Sequence, residues 1–89
     1  ADVVGVNCSG GAASVLEALK AMADGYAGPL AAEPSAGLPR WRNGKRRYDQ
    51  GPALLARFAL RYVRAGARLV GGCCGTTPAH ISALRRALL

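Results

Sequence analysis

No run in this sequence is long or apolar enough to span a bilayer, and the first residues, ADVVGVNCSGG, lack the charged start and hydrophobic core of a secretory signal. Neither a transmembrane helix nor a leader is expected, and the chain reads as soluble and cytoplasmic. An even cysteine count is missing as well: three cysteines do not make a disulfide framework. Two of them, Cys73 and Cys74, are neighbours that could bridge each other only through a small strained ring. Metal binding or redox chemistry in a reducing compartment is the better expectation. Carboxylates are few, five against twelve Lys and Arg, for a formal charge of +7. So basic a chain raises nucleic acid as a partner. Several of the arginines nevertheless recur on the outer face of one helical stretch, where a solvated surface accounts for them.

What is present is apolar material in ordered patterns. Hydrophobic residues make up 51% of the 89, which excludes a disordered tail and suits one small domain or a piece of a larger one. The segment DVVGVNC is a β-branched run that predicts a buried strand ending at Asn7 and Cys8, broken by SGG. Val15, Leu16, Leu19 and Met22 then recur at helical spacing, and Ser14 with Glu17 has the spacing of a capping box. Together they predict a helix from about Ser14 to Ala23 that stops near Gly25. GPLAAEPSAGLP predicts a second strand running into an irregular loop, which continues through the basic RWRNGKRRYDQG with NG as a turn signal.

Pro52 opens a second helix with Leu54, Leu55, Phe58, Tyr62 and Val63 as its buried stripe, Arg57, Arg61 and Arg64 facing out, and Gly66 as its stop. ARLVGG predicts a third strand that delivers Cys73 and Cys74 to its carboxyl end. Thr77 can cap and Pro78 can start a last helix that buries Ile81, Leu84 and Leu88. The order strand, helix, strand, helix, strand, helix implies an α/β fold with parallel strands and right-handed crossovers.

In such folds ligands gather at the carboxyl ends of the strands, where Cys8 and the Cys73/Cys74 pair both fall. Zinc takes thiolates at about 2.3 Å in a tetrahedral arrangement, and catalytic sites often supply three protein ligands. Successive side chains of a strand point to opposite faces, so two adjacent cysteines can reach one ion only if the chain turns. Gly71, Gly72 and Gly75 supply the freedom to turn, and the helix start after them places a positive dipole end near the sulfurs. A small buried hydrophobe is the plain alternative for Cys8 alone, and a weaker one for an adjacent pair inside GGCCG.

Other residues admit two readings. Asn7 could orient a bound substrate through its amide or close the strand end on backbone groups. His80 is of a common ligand type near the pair, but its place in the first turn of a helix suits a surface or capping role better. Glu33, at the end of the second strand, is either a site carboxylate or a solvated one. The basic run with Trp41 and Tyr48 could track a phosphate backbone and stack on bases, though a solvated loop explains it more simply.

GGCCGTTPAHI resembles the signature of the homocysteine S-methyltransferase family, zinc enzymes that include betaine-homocysteine methyltransferase and the homocysteine domain of cobalamin-dependent methionine synthase. GVNC resembles the family's other zinc motif, EPSAGLPR its Pro-Asn-Ala-Gly-Leu-Pro loop, and YDQGP the Tyr-Asp with a nearby proline. The resemblance runs over nearly the whole chain but covers only the last part of the family's domain. That domain is a (β/α)8 TIM barrel of roughly 250 residues. It implies that residues 1–89 are its C-terminal fragment, the sixth to eighth strands with their helices.

It further implies Cys8, Cys73 and Cys74 as the zinc ligands, with the thiol of homocysteine as fourth. The function implied is methyl transfer to a zinc-bound homocysteine thiolate, forming methionine, with methylfolate, methylcobalamin, betaine or S-methylmethionine as donor. A fragment lacking the earlier strands is expected to be inactive alone. Ser35 departs from the asparagine usual in the methionine synthase branch, and the loop from Arg40 to Arg47 is richer in charge than the family's. Two alternatives compete with this reading. One is a basic zinc module contacting nucleic acid through residues 40–48, and the other is a redox sensor with a vicinal dithiol at Cys73 and Cys74.

Overall fold

The computed structural model describes residues 1–89. In chain order the elements are β1 (Val4–Cys8), α1 (Ala12–Gly25), β2 (Leu30–Pro34), β3 (Pro39–Arg42), β4 (Lys45–Tyr48), α2 (Pro52–Arg64), β5 (Ala67–Val70) and α3 (Pro78–Leu88). Three of the strands make a parallel sheet in the order β1-β2-β5, as the strand–helix alternation predicts. β1 and β2 pair from Val4 opposite Leu30 to Cys8 opposite Pro34. That register brings both strands to their carboxyl ends at the same level. Gly5 is needed for this approach, because a Cβ there would lie 2.8 Å from the Cβ of Ala31.

Alternation along the strands sends one set of side chains to the helices. Val4, Val6, Leu30, Ala32 and Ala67 pack with Val15, Leu16 and Leu19 of α1 and Tyr62 of α2. Burial of each large side chain in this layer contributes on the order of 1.5–3 kcal/mol. The opposite face, with Asn7, Glu33 and Leu69, is open, and Leu69 is 57% exposed. No helix is long and apolar enough to cross a membrane.

α1 begins two residues before the predicted start. Gly10 (φ 82°) and Gly11 (φ 129°) turn the chain directly off β1, and the amide of Ala12 donates to Oε1 of Gln50 at 2.9 Å. A side chain 38 residues away thus caps the helix, and Ser14 lies inside the first turn instead of capping it. α2 starts at Pro52 as predicted, but its stripe is Leu55, Ala59 and Tyr62, with Val63 44% exposed. Phe58 is partly covered by the Arg61 guanidinium, 5.1 Å from the ring centre. α3 packs on α2 through Leu84 and also buries His80 and Ala83, which leaves Ile81 46% exposed.

Tyr62 ties α2 to the first turn of α1: its hydroxyl, fully buried, donates to the Ala12 carbonyl at 2.7 Å. Burial pushes the phenol far above the ordinary tyrosine range, so the hydroxyl keeps its proton and remains a donor.

The basic segment is a hairpin, where an irregular loop was expected. β3 and β4 pair antiparallel across Asn43 (φ 51°) and Gly44 (φ 74°), two successive left-handed residues that make a tight primed turn. The turn dipeptide was legible. The strands were not, because residues 39–47 are all exposed and carry no apolar alternation to mark them.

Candidate metal centre

Three cysteine sulfurs meet at the carboxyl ends of the parallel strands. Their Sγ atoms all lie within 4.8 Å of one another. Cys74 Sγ is 3.8 Å from Cys8 Sγ and 3.9 Å from Cys73 Sγ, while Cys8 and Cys73 are joined as a disulfide with Cα atoms 5.6 Å apart. Cys74 is free and exposed. The pair in the structure is therefore the long-range one, not the vicinal one weighed from the sequence.

The edge of a tetrahedron with 2.3 Å metal–sulfur bonds is about 3.8 Å. Two of the three sulfur–sulfur edges have that length, and opening the Cys8–Cys73 bond would supply the third. The donor set fits zinc.

Cys8 reaches the site because the end of β1 curls into the left-handed region. Cys8 (φ 60°) and Ser9 (φ 54°) both adopt it, a conformation costing non-glycine residues about 1–2 kcal/mol each. Hydrogen bonds hold the curl. The Cys8 carbonyl accepts from the amides of Gly11 (3.3 Å) and Ser35 (3.5 Å), and the Ser9 hydroxyl donates to the Asn7 carbonyl at 3.2 Å. Ser9→Val, which adds β-branching and removes that bond, is expected to lower stability by about 2 kcal/mol, whereas Ser9→Gly stays within about 1 kcal/mol of the parent. Urea denaturation midpoints check this, and equal costs for the two would mean the curl is unstrained.

Cys73 and Cys74 are placed by β2 more than by glycine freedom. The amides of Gly71 and Cys73 donate to the carbonyls of Ala32 and Pro34, both at 2.9 Å, and the Ala36 amide donates to the Cys74 carbonyl at 2.9 Å. The Thr76 hydroxyl donates to the Cys73 carbonyl at 2.6 Å and closes the turn. Of the three glycines expected to bend the chain, only Gly75 (φ 77°) is left-handed.

Asn7 directs its amide at the site, with Nδ2 3.9 Å from Cys73 Sγ. This is a third option beside the two weighed from sequence: a donor to sulfur, suited to a thiolate. Glu33 is exposed, opposite Asn7 in the register and beside Gly71, with no contact to the sulfurs. Ser35, buried, spends its hydroxyl on the Gly37 carbonyl at 3.0 Å, so it shapes the loop after β2.

The sequence profile of the homocysteine S-methyltransferase family matches residues 1–88. The chain belongs to the homocysteine S-methyltransferase family. It is 40% identical over 81 residues to the methionine synthase of Mycobacterium tuberculosis (strain ATCC 25618 / H37Rv) and 38% identical to that of Mycobacterium leprae (strain TN). Each match covers 90% of this chain and 7% of the relative, so the chain spans a small part of those proteins. The homocysteine methyltransferase MmuM from Escherichia coli superposes with a TM-score of 0.71 in both its oxidized and its metallated forms. The identities are 33% and 32%, covering 96% of this chain and 24% of that one.

Within this family member, Gln50 and His80 form a brace: the capping role expected of His80 is present, while its partner Gln50 was not singled out from the sequence. The Thr77 amide donates to His80 Nδ1 at 3.1 Å, which leaves the proton on Nε2 to donate to the Gln50 carbonyl at 2.8 Å. Gln50 in turn donates its own amide to the Ala36 carbonyl at 3.0 Å, and Ala36 holds Cys74. His80 is therefore a buried capping residue, and its ring is committed away from the sulfurs.

Proposed function

We propose that the chain is the zinc-holding part of a homocysteine S-methyltransferase that forms methionine, comprising the last three strand–helix units of a (β/α)8 barrel in a cytoplasmic enzyme. The observation that carries this reading is the cluster of Cys8, Cys73 and Cys74 at the strand ends, within 4.8 Å of one another, in a member of this family. The barrel assignment draws support from the sequential order β1-β2-β5 and from an open sheet face opposite the helices, as one wall of a closed barrel would have.

Cys8, Cys73 and Cys74, as thiolates, would hold the metal. Zinc, when bound, supplies a Lewis acid that keeps the thiol of homocysteine deprotonated near neutral pH. The residues around it do the rest. The Asn7 amide, directed at Cys73 Sγ, offsets negative charge on the sulfurs. The β2 backbone bonds and the Gln50–His80 brace hold the Cys73–Cys74 turn rigid, so that orientation need not be regained at each turnover. Cys74, on the exposed side, leaves an approach for substrate. The substrate sulfur gives its electron pair to the incoming methyl carbon as the donor keeps the pair of the old bond, and no protein side chain has to relay a proton.

The test is homocysteine-dependent methionine formation by the complete protein that contains these residues, assayed with methylfolate, methylcobalamin, betaine and S-methylmethionine in turn. Cys73→Ala and Cys74→Ala should each lower the rate with the productive donor by about a thousandfold or more, as losing several kcal/mol of charge stabilisation implies. Retention of full activity by both folded variants would sink the proposal.

A further inference from the structure

The hairpin that follows β2 sorts its side chains onto two faces. Antiparallel partners share a face, and the register pairs Arg40 with Arg47 and Arg42 with Lys45. Residues two apart in a strand also share a face. Arg40, Arg42, Lys45 and Arg47 therefore stand together on one side, while Trp41 and Arg46 occupy the other. All four cations are exposed. Their Cβ atoms frame a rectangle of about 7 Å along the strand by about 5 Å across it.

Like charges placed directly opposite each other destabilise a hairpin, and here two such pairs are adjacent. Only one carboxylate answers them: Asp49 Oδ2 lies 3.1 Å from Arg40 Nε. Arg40, Arg42 and Arg47 line an open cleft of about 380 Å³ together with Tyr48 and Asp49. Guanidinium forks match phosphate and carboxylate oxygens in pairs, and the strands fix the spacing of the forks.

We infer that this face is a binding site for a small oligo-anion, a ligand carrying two or more phosphate or carboxylate groups. The Arg40–Asp49 pair occupies one corner with a carboxylate from the chain itself, and the other three cations take the ligand. The rectangle suits two anionic groups about one strand repeat apart, which favours a compact ligand over a nucleic acid that needs a longer track. The site is independent of the methyl-transfer reading, and neither its ligand nor its test involves the cysteines.

The experiment is calorimetric titration of the complete protein at low salt with sodium tripolyphosphate, citrate and inorganic phosphate as separate probes. Fluorescence of Trp41, the only tryptophan and on the reverse face of the hairpin, serves as a second signal. Tripolyphosphate or citrate should bind at least about tenfold more tightly than inorganic phosphate, and the better of the two identifies the phosphate or carboxylate source. Arg42→Ser with Arg47→Ser should lower that affinity about a hundredfold, and Lys20→Ser, on α1, should leave it unchanged. Absence of binding, or equal binding by the double variant, overturns the inference. So does a single-stranded oligonucleotide that binds more tightly than either oligo-anion at equal phosphate concentration, since the face would then be a nucleic-acid surface.

Discussion

Replacing Gly75 by alanine is expected to remove about 3 kcal/mol of stability and to spoil the cysteine site with it. Two costs combine. Gly75 sits at φ 77°, where a Cβ costs about 1–2 kcal/mol, and a Cβ built there would overlap the ring of Tyr48. Forcing an atom into packed space adds about 1–3 kcal/mol. Either the ring must move, which shifts the last residue of β4, or the turn from Cys73 to Thr76 must open, which moves Cys74. Gly44→Ala is the matched control. It has nearly the same φ, 74°, but nothing within 4 Å of its added Cβ, so it should lose only about 1 kcal/mol. Urea denaturation of both variants separates the terms, and a zinc titration reads the site. Equal losses in the two would show that the Tyr48 ring yields freely and that Gly75 serves conformation alone.

That pair of glycines also shows where the sequence was readable. The motif GGCCG drew attention to Cys73 and Cys74, and the strand–helix alternation placed them with Cys8 at one end of the sheet, where the three sulfurs do cluster, because both signals are local in the chain. What escaped was contact between segments distant in sequence. Nothing near Gly75 announces Tyr48, and nothing near Ala12 announces Gln50 as its cap. The left-handed curl at Cys8 and Ser9 was hidden for another reason: neither residue type favours it, and it persists only because Gly11 and Ser35 bond the Cys8 carbonyl from both sides. Ile81 and Val63 were misassigned as buried because helical periodicity marks an apolar stripe, while only packing decides which edge of the stripe is covered. Asn7 was weighed as a substrate-orienting or strand-closing residue, but the contact it makes, to a sulfur 66 residues away, could not be read from its neighbours.

Zinc and the Cys8–Cys73 disulfide are expected to exclude each other completely. Both need the same sulfur electron pairs: the disulfide leaves Cys74 as the only free thiol, and one thiol does not make a structural or catalytic zinc site. Reduction adds two electrons and two protons across the bond, and metal binding then displaces the protons from the thiols. The reduced protein should therefore take up about one zinc per chain and the oxidised protein none, by elemental analysis after dialysis. Because the metal binds only the folded, reduced site, free zinc at a hundred times its dissociation constant should stabilise the reduced form by about 2.7 kcal/mol and leave the oxidised form unchanged. Cys74→Ser separates the two chemistries. It keeps the Cys8–Cys73 pair, so it should still lose two thiols on oxidation, yet it should hold little zinc when reduced. Zinc retained by the oxidised protein would show that the metal is held elsewhere. Undiminished zinc in Cys74→Ser would remove Cys74 from the ligand set, and with it the argument that three converging sulfurs make this end of the sheet the place where chemistry occurs.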